Sequence, residues 1–173
     1  MAAPDRPNAY DFTFDALNGG ELPFAAWRGK PVLVVNTASA CGFTPQYREL
    51  QEFWQEYRPQ GLIVLGVPCN DFGGQEPTDA PTINQFCAVN FGVDFPLTAK
   101  QHVFGKTAHP FYRWANAWAG LIGCPKWNFH KYLVGPDGQM IDWFASTTAP
   151  SAPKIIRAVE SLLPAKDYHN ASL

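Results

Sequence analysis

No two cysteines in this 173-residue sequence form a C-x-x-C pair. The four that are present, Cys41, Cys69, Cys87 and Cys124, lie far apart in the chain. That spacing excludes the ligand pairs of a structural zinc site and the motif of a general disulfide oxidoreductase. Four are also too few to staple a secreted disulfide scaffold. The histidines His102, His109, His130 and His169 form no i, i+4 pair and do not cluster with cysteine, so neither a metal nor a cofactor is read. Charge is scarce: 13 Lys+Arg stand against 15 Asp+Glu, a net of -2. So weak a field gives no support to nucleic-acid or anionic-membrane binding. No run approaches the ~20 apolar residues that span a bilayer. The segment Met1-Ala2-Ala3-Pro4-Asp5-Arg6-Pro7 holds no signal-peptide core. The expectation is a soluble cytoplasmic protein in a reducing compartment. There the triplet Asn170-Ala171-Ser172 carries no glycosylation meaning.

What is present is a core. Apolar residues make up 46% of the chain and charged residues 16%, which excludes a disordered charged tail. The length matches one domain, read as residues 1–173 with a core of about 10–163. Pro31 to Asn36 and Leu62 to Val67 are apolar and β-branched, as strands buried on both faces are. Between them Tyr47, Leu50, Trp54 and Tyr57 recur at helical spacing, and Thr44-Pro45 reads as an N-cap followed by proline. This is a β–α–β unit with a crossover long enough for parallel pairing. Asp79 is placed to cap a helix through about Asn90, with Ile83, Phe86 and Cys87 on its stripe. Val93 to Leu97 reads as a short strand or extended piece, and His109 to Trp118 as a helix. Phe129 to Gly135 and Gln139 to Phe144, joined by Pro136-Asp137-Gly138, read as an antiparallel hairpin. Ser151 opens a last helix carrying Ile155, Ile156, Val159, Leu162 and Leu163. The order is that of a thioredoxin-like α/β fold, a central mixed sheet flanked by helices.

Three segments are candidates for chemistry. In Asn36 to Pro45 a buried strand ends, small residues follow, and a helix begins just beyond Cys41. Unpaired backbone N–H groups at a helix start favour a thiolate; packing of Cys41 under the sheet is the competing reading. Pro68 to Pro77 follows the next parallel strand, at the sheet edge where open α/β folds place their sites. Gln75 offers an amide donor there, or is part of a surface turn. Lys126-Trp127-Asn128-Phe129 supplies an indole N–H and an amide NH₂, or a core tryptophan at a strand end.

Together these segments resemble the glutathione peroxidase family. The matches are N-x-A-S-x-C-G-x-T at Asn36 to Thr44, P-C-N-x-F-x-x-Q-E-P at Pro68 to Pro77, and W-N-F at Trp127 to Phe129. Lys131-Tyr132-Leu133-Val134 and the Phe95-Pro96 step match as well, so the likeness runs from about Tyr10 to Leu163. The departures are Asp71, Thr78 and Val103-Phe104-Gly105; they touch loop contacts to substrate or partner.

The resemblance implies the thioredoxin-like fold and a peroxidatic Cys41 assisted by Gln75, Trp127 and Asn128. It implies reduction of hydrogen peroxide and organic or lipid hydroperoxides through a sulfenic acid on Cys41. In family members that use thioredoxin, a cysteine at the position of Cys87 resolves that acid as an intramolecular disulfide. A buried helical cysteine is the other reading of Cys87, and Cys124 is an alternative resolving thiol. Cys69 reads as structural. The short chain between Tyr112 and Trp127 lacks the insertion of tetrameric members, which implies a monomer with an open site. No arginine cluster surrounds Cys41, so thioredoxin is the expected reductant and glutathione the second choice. A peroxide sensor that relays oxidation to a partner protein shares every one of these features.

Overall fold

A computed structural model describes residues 6–165. His169 and the Asn170 triplet lie outside the described residues. The element order is β1 (Thr13–Asp15), β2 (Glu21–Pro23), β3 (Val32–Thr37), α1 (Gln46–Tyr57), β4 (Ile63–Pro68), α2 (Ala80–Phe91), α3 (Pro110–Gly123), β5 (Lys131–Val134), β6 (Met140–Phe144) and α4 (Pro153–Glu160). β1 and β2 form a small hairpin, and the central sheet has the order β4-β3-β5-β6. β3 pairs parallel with β4 and antiparallel with β5, so the sheet is mixed.

Alternation along the central strands explains why the sequence reads as continuous apolar runs. Leu33 and Val35 face one layer, Val32 and Val34 the other. The first layer holds α1, α2 and α4 through Leu50, Trp54, Ile83, Ile155 and Val159. The second holds α3 through Phe111, Tyr112 and Ala115, together with Phe14 and Phe24. Each fully buried Val, Leu, Ile or Phe among them contributes about 1.5–3 kcal/mol of apolar burial. The double-sided sheet is therefore the main source of stability, and its β3 and β4 ends are rigid platforms.

Several expected boundaries shift. Thr44 does not cap α1; Pro45 occupies the N-cap position without a side-chain bond, and the helix starts at Gln46. The Thr44 hydroxyl is engaged in the preceding turn instead. α3 runs past Trp118 to Gly123, across a non-helical Gly120. Ser151 does not open α4: Ala152 precedes it, and Leu162 and Leu163 lie beyond its end. No strand forms at Val93 to Leu97; of the two readings, the extended piece is the one found. It is tied to β4 by a single bridge, Gly66 to Leu97, with Gly66 N–H donating to the Pro96 carbonyl at 2.9 Å. A Cβ on Gly66 would stand 2.5 Å from Leu97, so glycine is what lets this segment lie against the strand.

Candidate active site

The turn after β3 is built around Thr44. Its hydroxyl accepts the Cys41 N–H at 2.9 Å and donates to the Ala38 carbonyl at 3.0 Å. The closed turn aims the Phe43 N–H at Cys41 Sγ, 3.3 Å away. Cys41 keeps 8% of its surface exposed, which leaves the sulfur at the edge of solvent. Negative charge on Sγ thus meets a backbone donor at once, inside a turn that precedes α1 rather than on the helix itself.

Two distant segments converge on that turn. The Ala40 N–H donates to the Gln75 carbonyl at 3.0 Å, which seats the loop after β4 beside Cys41. Asn128 donates from Nδ2 to Gln75 Oε1 at 2.8 Å and reaches the Phe72 carbonyl at 3.5 Å. The Gln75 carbonyl oxygen of the side chain is thereby consumed, so its NH₂ is the end left to act as a donor. Asn36 pins the third segment: its Nδ2 donates to the Trp127 carbonyl at 3.0 Å, and its own carbonyl accepts the Phe129 N–H. Phe129 is the one described non-glycine residue at positive φ, +64°. Such a conformation is uncommon for a bulky residue and is held by its surroundings. Trp127, 36% exposed, lies over Gly73, where a Cβ would come within 2.9 Å of the indole. Gly73 also has φ +69°, so both space and backbone demand glycine there. Among the described residues the Trp127 indole N–H makes no side-chain hydrogen bond with another group.

Glu76, adjacent to Gln75, was assigned no role from sequence. It is fully buried and accepts the Ser39 hydroxyl at 2.7 Å, tying the two loops together a second time. Burial pushes its carboxyl pKa up, against the opposing pull of Ser39 and the Lys100 charge. Lys131, which opens the strand matching the family pattern, is fully buried as well. The strand period could have flagged it, because alternation puts it on the same face as Leu133.

The other thiols differ in setting. Cys87 sits on α2, 1% exposed, in the same apolar cluster as Cys41, and all four cysteines are free. Burial, aided by the Glu76 charge, pushes the Cys87 thiol up to about 11, while the neighbouring Tyr47 hydroxyl works the other way. Cys69 directly follows β4, is fully buried, and is pushed up to about 12, chiefly by burial. Cys124 follows α3 with its Sγ 3.5 Å from the Leu121 carbonyl. It lines a surface cavity of about 370 Å³ that Trp127 also lines. Two departures from the family pattern prove to be partners. Asp71 takes His102 Nδ1 at 2.6 Å and the Val103 N–H at 2.8 Å, which holds its carboxyl below the usual range.

A family model for glutathione peroxidase matches residues 9–116. This chain belongs to the glutathione peroxidase family. It is a peroxidase on that ground, and its sheet order and flanking helices form the thioredoxin-like fold. The glutathione peroxidase-like peroxiredoxin GPX5 of Chlamydomonas reinhardtii is 43% identical over 159 residues, covering 90% of this chain and 98% of that protein. The hydroperoxy fatty acid reductase gpx1 of Synechocystis is 39% identical, covering 94% and 100%. The crystal structure of Trgpx in apo form superimposes with a TM-score of 0.72 at 38% identity, covering 92% of this peroxidase and 100% of that chain. No helix among the described residues is long and apolar enough to cross a membrane.

Proposed function

We propose that this peroxidase reduces hydrogen peroxide and organic hydroperoxides, fatty-acyl hydroperoxides included, with Cys41 as the nucleophile. The observation that carries the reading is the convergence of the Gln75–Asn128 pair and the Phe43 amide on the Cys41 turn. The Cys41 thiolate attacks one peroxide oxygen. An S–O bond forms, the O–O bond breaks, and the leaving oxygen takes a proton to depart as water or alcohol. The Gln75 NH₂ and the Trp127 indole N–H are neutral donors suited to the charge developing on that oxygen. Asn128 holds Gln75 in the orientation that presents this NH₂.

Cys87 then resolves the sulfenic acid: its sulfur bonds to Cys41, and the hydroxyl leaves as water with the Cys87 proton. A disulfide needs Cα atoms within about 7 Å. A buried thiol inside α2, pushed up to about 11 by burial, is shielded and protonated where it stands, and opening of α2 is the step that would free it to react. A dithiol reductant of the thioredoxin kind restores both thiols and is itself oxidised to a disulfide. The peroxiredoxin naming of the Chlamydomonas relative supports this choice over glutathione. A monomer acting in the cytoplasm fits the reading.

NADPH-coupled peroxide turnover with thioredoxin and with glutathione, offered separately, tests it. Turnover with thioredoxin, absent in Cys41→Ser, is the expected result. A single oxidation per chain followed by a trapped mixed disulfide with another protein would replace the enzyme by a relay.

A further inference from the structure

A fully buried lysine lies in the core behind the candidate site. Lys131 opens β5 and is fully buried, pointing with Leu133 into the layer beneath α1 and α4. Its cross-strand neighbours are Val35 and Phe144. Its ammonium donates to Gln46 Oε1 at 2.6 Å, to the Phe129 carbonyl at 2.7 Å and to the Ser146 carbonyl at 3.5 Å. Three N–H groups meet three neutral acceptors, and among the described residues no carboxylate pairs with it. Gln46 is the first residue of α1, so this cation also sits at the positive end of a helix. Buried charge of this kind is weak evidence for stability, because apolar residues of similar volume often serve a fold as well or better.

Two of the three acceptors, Gln46 and Phe129, adjoin the pieces that form the site. Gln46 follows the Cys41 turn, and its Nε2 binds the Ser146 carbonyl at 2.8 Å. Phe129 closes the Trp127–Asn128 turn in its positive-φ conformation. We propose that Lys131 is a positioning residue for peroxide reduction: its ammonium clamps the Phe129 carbonyl to Gln46 and so sets Trp127 and Asn128 against the Cys41 turn. The inference rests on the reading of Cys41, Gln75, Trp127 and Asn128 as the reacting set. Lys131 acts through those residues and touches no reacting atom.

The clamp is sensitive to pH. All three bonds need the ammonium, since a neutral amine keeps two N–H groups. Burial lowers the Lys131 pKa from 10.5 to about 7. Few charges face it. Glu49 on α1 favours the ammonium from a distance and is itself bonded by the Ser151 hydroxyl at 3.1 Å. His130 is driven down to about 4 by burial and by Lys131, so it stays neutral near pH 7. Lys154 on α4 lies over the Phe144 ring. β3 and β6 present Val35 and Phe144, which carry no charge.

The test is stopped-flow oxidation of fully reduced protein by hydrogen peroxide, from pH 6 to 9. Rates are divided by the thiolate fraction obtained from iodoacetamide alkylation. Lys131→Met is expected to oxidise about 10–100-fold more slowly at pH 6, a loss of about 1.4 kcal/mol per tenfold. The gap should narrow above pH 8, because only the wild-type rate per thiolate falls. Reduction of a preformed Cys41–Cys87 disulfide by thioredoxin should be unchanged. Gln46→Glu gives up its own bond to Ser146 but supplies a charge that keeps the ammonium, so its rate per thiolate should fall less between pH 7 and 9 than that of wild type, and Gln46→Leu should lose several-fold at pH 6. If Lys131→Met fails to fold, the two Gln46 variants carry the same readout. A folded Lys131→Met within twofold of wild type at every pH overturns the clamp, as does a Gln46→Leu that oxidises normally. Cys41→Ser, run alongside, separates the two layers: oxidation that survives in it sinks the catalytic reading, whereas an inert Cys41→Ser beside a normal Lys131→Met sinks the clamp alone.

Discussion

α1 and α2 are each 12 residues long and pack in the same layer, yet the sheet grips them differently. α1 buries Gln46, Tyr47, Leu50, Gln51, Phe53, Trp54 and Tyr57. It is also tied to α4 through the Tyr57 hydroxyl on Glu160 and to Asp94 through Gln51. α2 buries Ile83 and Cys87 and leaves Val89 75% exposed. The helix behind Cys41 is therefore fixed by seven buried side chains, whereas the helix that carries Cys87 is held by two, with the half-buried Phe86 and Phe91 and its caps beside them. Local opening follows the number of buried contacts that must be given up. On the proposed mechanism this contrast is a division of labour: peroxide chemistry needs a stationary sulfur, and resolution needs a movable one.

The largest expected effect separates the two thiols. Cys41→Ser should abolish peroxide turnover, at least 10³-fold. Cys87→Ser should still be oxidised once by peroxide but should accumulate sulfenic acid, visible by dimedone trapping. Equal disulfide formation in Cys87→Ser would move the resolving role to another cysteine, with Cys124 next to be tested.

Core truncation comes next. Leu50→Ala on α1 should cost about 2–5 kcal/mol of global stability in urea unfolding. Ile83→Ala on α2 should cost less globally and should speed Cys41–Cys87 disulfide formation several-fold, because the helix opens more readily. Should the two variants lose equal stability with no change in disulfide rate, the contrast between the helices would fail. Amide exchange reads the same contrast without mutation: α2 amides should exchange at least tenfold faster than those of α1.

The smallest effect concerns the α2 cap. Asp79 accepts the Thr82 N–H at 3.0 Å, and Thr82 holds the Asp79 pKa below its ordinary 3.8. A lowered carboxyl pKa means the cap is intact above 3.8 and is lost as pH falls through the lowered value. Asp79→Ala should quicken α2 amide exchange at neutral pH while leaving the global melting temperature unmoved. An unchanged α2 exchange rate would show that side-chain packing, without the cap, holds the helix.

Lys131 supplies a global pH signature that stands apart from α2. Its pKa is lowered on folding, so the unfolded chain binds more protons between about 7 and 10.5, and stability rises with pH across that window. Cys69 and Cys87 have raised values and act in the opposite sense above about 9, so the effect is read as wild type minus Lys131→Met. A difference that is flat between pH 7 and 9 would show that Lys131 titrates normally.

The strands, the helical stripes and the three candidate segments are legible in sequence because each is a local pattern. Val32 to Thr37 and Ile63 to Pro68 could hardly be anything but buried parallel strands. The Thr44 cap was misread for a physical reason: a hydroxyl at that spacing serves equally to brace a cysteine turn, and only the fold chooses. The Asn128–Gln75 bond joins residues far apart in sequence, so no window of sequence displays it. Glu76 and Lys131 escaped notice because charged side chains belong on the surface unless something holds them inside. What holds them, Ser39 in one case and three neutral oxygens in the other, is visible only in three dimensions.

If Cys87 must leave its helix to meet Cys41, the spent enzyme and the fresh one differ in contour as well as in oxidation state. A reductant can then tell one from the other by touch: the segment that melts to form the bond is also the handle by which the bond is found.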